Sequence, residues 1–406
     1  LKGILYDAPN LDLIDEYKIR LSQLNISESF NISFVLICKN EERCIARCLE
    51  NIKKEKDSND EIVVIDSGST DRTVEIIREN YSFVKLINTE WKDDFSALRN
   101  YGIGLSKYDW IFFVDADEII VEGSVSNLKK YLSIIEWYRF DKIICSPTIN
   151  NNNNQIVQGV RRILKKTSGI KFFGCIHEEP RDLSNLLTSE VSNISFNNII
   201  LMHDGYDKDV MEKKNKIQRN ITLLKKMLNI EPQHPRWKYF YCRDGKSIIS
   251  INEYEQYLLE VVNLAANNQH YHFYEIRAIS NLIEYYCEMG DIEKAHNMLG
   301  QLKMICPDLS DVLYFDALVS IGSMKNATYL LLDRLCKFSS EHTEIEYGSI
   351  NSYLYHIDYI TAIVFFETGE YKKCFSILKK LEAVGFGNYS KTYFELYESL
   401  RLYYEK

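Results

Sequence analysis

Asp109-Trp110-Ile111-Phe112-Phe113-Val114-Asp115-Ala116-Asp117 constrains the fold of this chain more than any other stretch. Apolar residues run into two carboxylates that stand one residue apart. A buried strand of a parallel sheet reads this way, and ligands of open α/β sheets bind beyond the carboxyl ends of such strands. On an extended backbone Asp115 and Asp117 point to the same side, so together they can offer oxygens to a hard cation such as Mg²⁺ or Mn²⁺. An Asp-rich turn after a strand would use the same residues. Two upstream runs repeat the pattern. Glu61-Ile62-Val63-Val64-Ile65-Asp66 leads through Ser67-Gly68-Ser69-Thr70-Asp71 into an amphipathic stretch at 73–81, with Ser69 or Thr70 as the expected helix cap. Ile32-Ser33-Phe34-Val35-Leu36-Ile37-Cys38 leads into Lys39-Asn40-Glu41-Glu42 and another helix. Three strands, each ending in polar groups and each followed by a helix, make a nucleotide-binding α/β half. Capping accounts for Ser69, Thr70 and Asp71 but not for Asp66, whose strand-end position suits hydrogen bonding to a base or sugar. The chain has neither G-x-G-x-x-G nor a P-loop, so dinucleotide and ATP sites of those kinds are unsupported.

The 406 residues suffice for two domains. Residues 1–30 read as a helical lead-in, 31–210 as the α/β domain, 211–235 as a helical linker and 236–406 as an all-α helical-repeat domain. Within the α/β part, 142–149 and 155–164 read as strands flanking an asparagine-rich hairpin tip. The repeat is weak: Tyr286-Cys287-Glu288-Met289-Gly290-Asp291 resembles Phe366-Glu367-Thr368-Gly369-Glu370, an aromatic-ended helix meeting a Gly turn and a second helix. Degenerate copies are expected at 314–322 and 239–245. A net charge of −9 argues against a nucleic-acid partner, which needs a basic face. No apolar run approaches the ~20 residues of a membrane-spanning helix. The first seven residues lack the apolar core of a secretory signal. The ten cysteines are scattered without C-x-x-C, mostly inside apolar patterns, which fits reduced thiols in a reducing cytoplasm.

Six segments together resemble the family 2 glycosyltransferases of the GT-A fold. They are Cys38-Lys39-Asn40-Glu41-Glu42, Asp66-Ser67-Gly68-Ser69-Thr70-Asp71, Asp94-Phe95-Ser96-Ala97-Leu98-Arg99-Asn100, the D-x-D at Asp115-Ala116-Asp117, Phe173-Gly174-Cys175-Ile176-His177-Glu178-Glu179-Pro180, and His203-Asp204-Gly205-Tyr206. Their order and spacing cover roughly residues 30–210. Within the family the chain is most similar to the sublancin-type peptide S-glycosyltransferases, with W-x-x-D-F-S-x-x-R-N and H-E-E-P segments and a helical C-terminal half similar to tetratricopeptide repeats. The resemblance implies a UDP-sugar donor, UDP-glucose first, bound by Asn40, Glu41, Asp66, Ser67, Arg99, Asp115, Ala116 and Arg161. It implies a Mg²⁺ or Mn²⁺ held by Asp117 most directly, with Asp115 nearer the ribose or metal and His203 completing the shell. His203 would equally serve as a strand-end cap, and Arg161 with Arg162 as a solvated pair. One of Glu178, Glu179 and His177, in that order of preference, would take the acceptor's proton in an inverting displacement. The implied acceptor is a cysteine thiol, or a serine hydroxyl, of a ribosomally made bacteriocin-type peptide. A cell-surface or lipid-linked glycan is the other enzyme reading, and an inactive repeat-built peptide-binding protein is the reading of another class. Stacked repeats also suggest a homodimer.

Overall fold

The structure, a computed structural model, describes residues 30–140, 142–151, 156–182, 191–203, 210–342 and 353–386, with 395, 398, 399, 401 and 402. The expected lead-in helix, the asparagine tip at 152–154 and the segment Asp204-Gly205-Tyr206 lie outside these residues. The chain divides into two compact units, the first ending at Ser247 and the second beginning at Ile248.

The first unit is α/β. Its strands are β1 (Ile32–Cys38), β2 (Glu61–Asp66), β3 (Lys85–Asn88), β4 (Trp110–Phe113), β5 (Glu118–Ile120), β6 (Ile143–Asn151), β7 (Ile156–Val157), β8 (Ile163–Lys165), β9 (Ile170–Phe173), β10 (Glu179–Asp182) and β11 (Ser192–His203). Its helices are α1 (Ile45–Glu55), α2 (Thr73–Asn80), α3 (Phe95–Leu105), α4 (Ser124–Trp137), α5 (Val210–Ile230) and α6 (Pro235–Gly245). Among the described residues the main sheet runs β3-β2-β1-β4-β8-β6-β11-β5, with β7 on β6 and a separate β9–β10 pair. The first four strands are mutually parallel, as the three strand–helix units require, and β8 joins β4 antiparallel.

Alternation along β1, β2 and β4 builds two cores, one on each face. Phe34, Leu36, Ile62, Val64 and Phe112 pack with α1, α2 and α4, while Val35, Val63, Ile65, Ile111 and Phe113 pack with α3 and β9. Buried on both faces, these strands are apolar but for Ser33 and the end residues Glu61 and Asp66, which is why they read as nearly continuous runs.

Two local expectations are corrected. The cap of α2 is Arg72, without a side-chain bond. Ser69 and Thr70 are instead drawn to Asn40, whose N–H donates to Ser69 Oγ and whose Oδ1 accepts from Thr70 N, both at 2.8 Å. The stretch 155–164 is two strands. Ile149 pairs with Val157 but Cys145 with Ile163, so the returning chain carries two extra residues, bulging at Gly159, whose φ is +74°.

The second unit is helical: α7 (Ile251–Ala265), α8 (His272–Met289), α9 (Ile292–Ile305), α10 (Ser310–Glu341), α11 (Tyr355–Glu367) and α12 (Tyr371–Ala383). Gly290 and Gly369, at φ +75° and +80°, close helical hairpins at the two repeat-like positions. The other two copies differ. Residues 239–245 are the end of α6 in the first unit, and 314–322 lie inside the long α10. Gly322 there marks close packing, since a Cβ would come within 2.5 Å of Ile292 Cδ1. All ten cysteines are free and seven are buried, so most act as small hydrophobes. No helix among the described residues is long and apolar enough to cross a membrane.

Candidate active site

The carboxyl ends of β1, β2 and β4 gather the polar segments that the sequence places after them. At the end of β2, Asp66 is buried and its Oδ2 accepts from Gly68 N and Ser69 N at 3.0 Å each, while Oδ1 accepts from Ser69 Oγ. Ser67 is also buried, its hydroxyl donating to Cys38 O at 3.1 Å. Asn40 adopts φ +58° and laces this loop from β1. Glu41 donates its N–H to Thr73 Oγ1 at 2.8 Å and accepts from Cys44 Sγ at 3.0 Å. In this form Asp66, Ser67 and Asn40 hold the loop together.

The D-x-D turn carries more charge than its two aspartates. Arg162 Nη1 donates to Asp115 Oδ1 at 2.6 Å, and Nη2 reaches Asp115 Oδ2 and, at 3.0 Å, Glu118 Oε1. Glu118 is 2% exposed, and its Oε2 accepts from Asp115 N at 2.8 Å. β8 brings Arg162 here because Phe113 N donates to Arg162 O at 2.9 Å. Removal from water alone would raise the Asp115 pKa, but Arg162, backed by Arg99, outweighs that and holds it below the usual range. For Glu118 burial wins, and its pKa is raised. Ala116 is buried between the two aspartates. Register brings the metal candidates together: His203 of β11 pairs with Glu118 of β5, so its Nε2 lies 3.2 Å from Asp117 Oδ2. That contact raises the His203 pKa.

The β9–β10 turn supplies the candidate bases, and they separate. Glu178, 13% exposed, forms an ion pair with Arg99 Nε, while Arg99 Nη2 stands 3.9 Å from Asp115 Oδ1. Burial alone would raise the Glu178 pKa, but Arg99 overcomes it and lowers it, so the group is ionised at neutral pH. Glu179 faces away from Arg99, bonded by Arg181 at 2.7 Å and Arg236 at 3.1 Å. His177, at φ +48°, puts Nε2 2.7 Å from Asp244 of α6 and stacks on Phe240. Glu178 is thus the one of the three joined, through Arg99, to the D-x-D turn.

Of the arginine pair, Arg162 enters the site and Arg161 is half-buried beside it. Neighbouring residues of an extended chain point to opposite sides, so at most one could do so. Glu118 went unread although it follows Asp117. Its signal was the density of three carboxylates in four residues, which demands a buried cation. Trp91 packs against the α3-side core with its ring 4.6 Å from Phe95.

The glycosyl transferase family 2 model matches residues 33–187. The chain is 29% identical to glycosyltransferase SunS of Bacillus phage SPbeta over 330 residues, 80% of this chain and 74% of that protein. Because the α/β unit ends at Ser247, an alignment of that length extends into the helical unit. A TPR repeat-containing protein of Synechococcus elongatus is 29% identical over 225 residues, 54% of this chain and 52% of that one. The crystal structure of Staphylococcus aureus TarS residues 1–349 in complex with UDP-GlcNAc aligns with a TM-score of 0.41 and 14% identity, over 66% of this chain and 90% of that one. With the fold, the D-x-D turn and the H-E-E-P turn in place, residues 33–187 of the α/β unit form a glycosyl transferase family 2 domain.

Proposed function

We propose that this glycosyltransferase moves a hexose, glucose first, from a uridine-diphosphate sugar to a cysteine thiol of a ribosomally made peptide in the bacterial cytoplasm, with Mg²⁺ or Mn²⁺ and inversion at the anomeric carbon. The observation that carries the reading is the chain Asp115–Arg99–Glu178, which ties the candidate base to the D-x-D turn. The peptide acceptor rests on the likeness to SunS, which spans both units.

Asp117 and His203 would hold the cation. Among the described residues no group of three or more His, Cys, Asp or Glu is placed to hold one, so a cation bound here would take further oxygens from the donor's diphosphate. Magnesium and manganese sites shared with substrate phosphates are built that way, with few protein ligands. When bound, the cation neutralises charge on the diphosphate leaving group. Asp66, Asn40 and Glu41 line the end of the sheet where the uridine would lie.

Arg99 gives Glu178 its working cycle. Paired with Arg99, Glu178 is a weak base; a donor diphosphate competes for the guanidinium, and the loss of that pairing raises the carboxylate's proton affinity. The thiol sulfur then forms its bond to C1 as the C1–O bond to diphosphate breaks, and the thiol proton passes to Glu178. A thiol, with a pKa of about 8.5, needs less help than a hydroxyl. Acceptor recognition and a homodimer contact are assigned to the helical unit, where Leu313, Met324 and Leu330 of α10 are exposed.

Incubation with UDP-glucose, Mn²⁺ and a matched Cys/Ser peptide pair, read by fragmentation mass spectrometry, tests this. Sugar on the cysteine is expected, and Glu178→Gln should slow transfer roughly 10²-fold while donor binding survives. A sugar found on free oligosaccharide, with both peptides untouched, would replace the reading with a glycan transferase.

A further inference from the structure

We infer that Asp244 and His177 form a positioning dyad for the transfer reaction, through which α6 fixes the turn that presents Glu178. The inference rests on the reading of Glu178 as base. It adds an element outside the segment 33–187 that the family model matches.

His177 directly precedes Glu178 and is held on every side. Its Nε2 lies 2.7 Å from Asp244 Oδ2 and 3.1 Å from Arg243 Nη2. Its ring stacks on Phe240 with centroids 4.2 Å apart. Its carbonyl accepts from Arg236 Nε at 3.1 Å and from Nη2 of the same guanidinium. Asp244 is itself fixed, its Oδ2 accepting from Asn220 Nδ2 of α5 at 3.0 Å and its Oδ1 from Arg243 Nε at 2.9 Å. With Nε2 and one ring face committed to α6, the imidazole is placed to orient the turn rather than to meet an acceptor.

The grip is local to the turn. The hairpin is anchored separately, since Arg181 of β10 donates to Glu231 at 2.7 and 2.9 Å, and Trp237 Nε1 donates to the same carboxylate at 2.7 Å. The turn's opposite end is pinned where Gly174, at φ +111°, admits the Trp237 ring: a Cβ there would lie 2.6 Å from Cη2. Cutting the dyad therefore leaves the hairpin docked and the His177 carbonyl on Arg236, and releases the imidazole that orients the residue before Glu178. On the other side, the Glu178 carboxylate pairs with Arg99, the contact that the donor is proposed to disturb. A base whose partner leaves during the cycle needs its backbone held by something that stays, and α6 provides it.

The experiment is a double-mutant cycle in the full chain, with UDP-glucose and a cysteine peptide, using Asp244→Ala, Asp244→Asn, Glu178→Gln and the doubles. Single-turnover transfer is measured beside donor affinity by calorimetry. Asp244→Ala should slow transfer about tenfold or more with donor affinity unchanged, and Asp244→Asn, whose one amide oxygen can still take the Oδ2 place between His177 and Asn220, should lose less. In the Glu178→Gln background Asp244→Ala should cost under about twofold more, because the group it positions is already gone. An equal loss in both backgrounds, or lost donor affinity, overturns the proposal while leaving Glu178 as base. Full activity of Glu178→Gln removes the base and the proposal with it. If Asp244→Ala does not fold, Asp244→Asn carries the same cycle.

Discussion

Arg162 is where the charge of the site balances. It is buried between Asp115 and Glu118, and breaking a buried ion pair costs about 3–5 kcal/mol because the remaining charges are stranded. Asp115 is 43% exposed, so solvent softens its share. Arg162→Met should therefore destabilise by about 3 kcal/mol in guanidinium denaturation, and Glu118→Gln in that background should restore part of the loss. A second expectation concerns His177. Burial lowers its pKa from 6.5, outweighing the Asp244 contact that raises it. The unfolded chain then takes up a proton that the folded chain resists, so this contribution is full above pH 6.5 and lost as pH falls through the folded pKa. Between about pH 7.5 and about pH 5.5 the denaturation midpoint should fall further for the wild type than for His177→Gln. His203 and Glu118, raised instead, act in the opposite sense but are common to both proteins and cancel. These residues also mark what could be read in advance. Asp115 and Asp117 declare themselves because strand and carboxylates are contiguous. Arg162 lies 47 residues beyond Asp115, and Asp244 67 beyond His177, so neither pairing leaves a local trace.

At the scale of elements, legibility followed periodicity. The apolar strands and the amphipathic helices after them state their type directly, and the Gly turns at 290 and 369 state where helices end. What depended on tertiary register was hidden: the bulge splitting β7 from β8, and the transfer of Ser69 and Thr70 from capping α2 to bracing Asn40. Glycine inside a helix was ambiguous for the same reason. Gly102 presses α3 onto β1, where a Cβ would sit 2.7 Å from Val35 Cγ1, on a β-branched side chain that cannot turn aside. Gly322 meets the Cδ1 of Ile292, the far end of a chain that can. Alanine in a helix gains about 1 kcal/mol over glycine. At Gly322 that gain should leave the substitution near neutral. Gly102→Ala should instead be destabilising by about 1–3 kcal/mol, with partial recovery in the Val35→Ala double variant. Denaturant titration of the three proteins decides whether side-chain stiffness sets the difference.

For the whole molecule, the boundary between the two units falls at a place the sequence pattern does not mark. Proline and charge after Ile230 suggest a linker with repeats starting near 236, yet α6 belongs to the α/β unit, because Trp237 fills the space over Gly174 and Asp244 meets His177. Helical periodicity identifies a helix but not the unit on which its apolar face packs. Two truncations discriminate. A chain ending at Ser247 keeps every contact to the β9–β10 turn named above and should fold and hydrolyse UDP-glucose within about threefold of the full chain, while losing peptide transfer. A chain ending at 234 exposes the apolar surface that Trp237, Phe240 and Tyr241 cover and releases His177, so it should aggregate or lose hydrolysis by about 10²-fold. Equal hydrolysis by both would show that α6 is dispensable to the chemistry. Peptide transfer by the 247-residue form would move acceptor recognition back into the α/β unit.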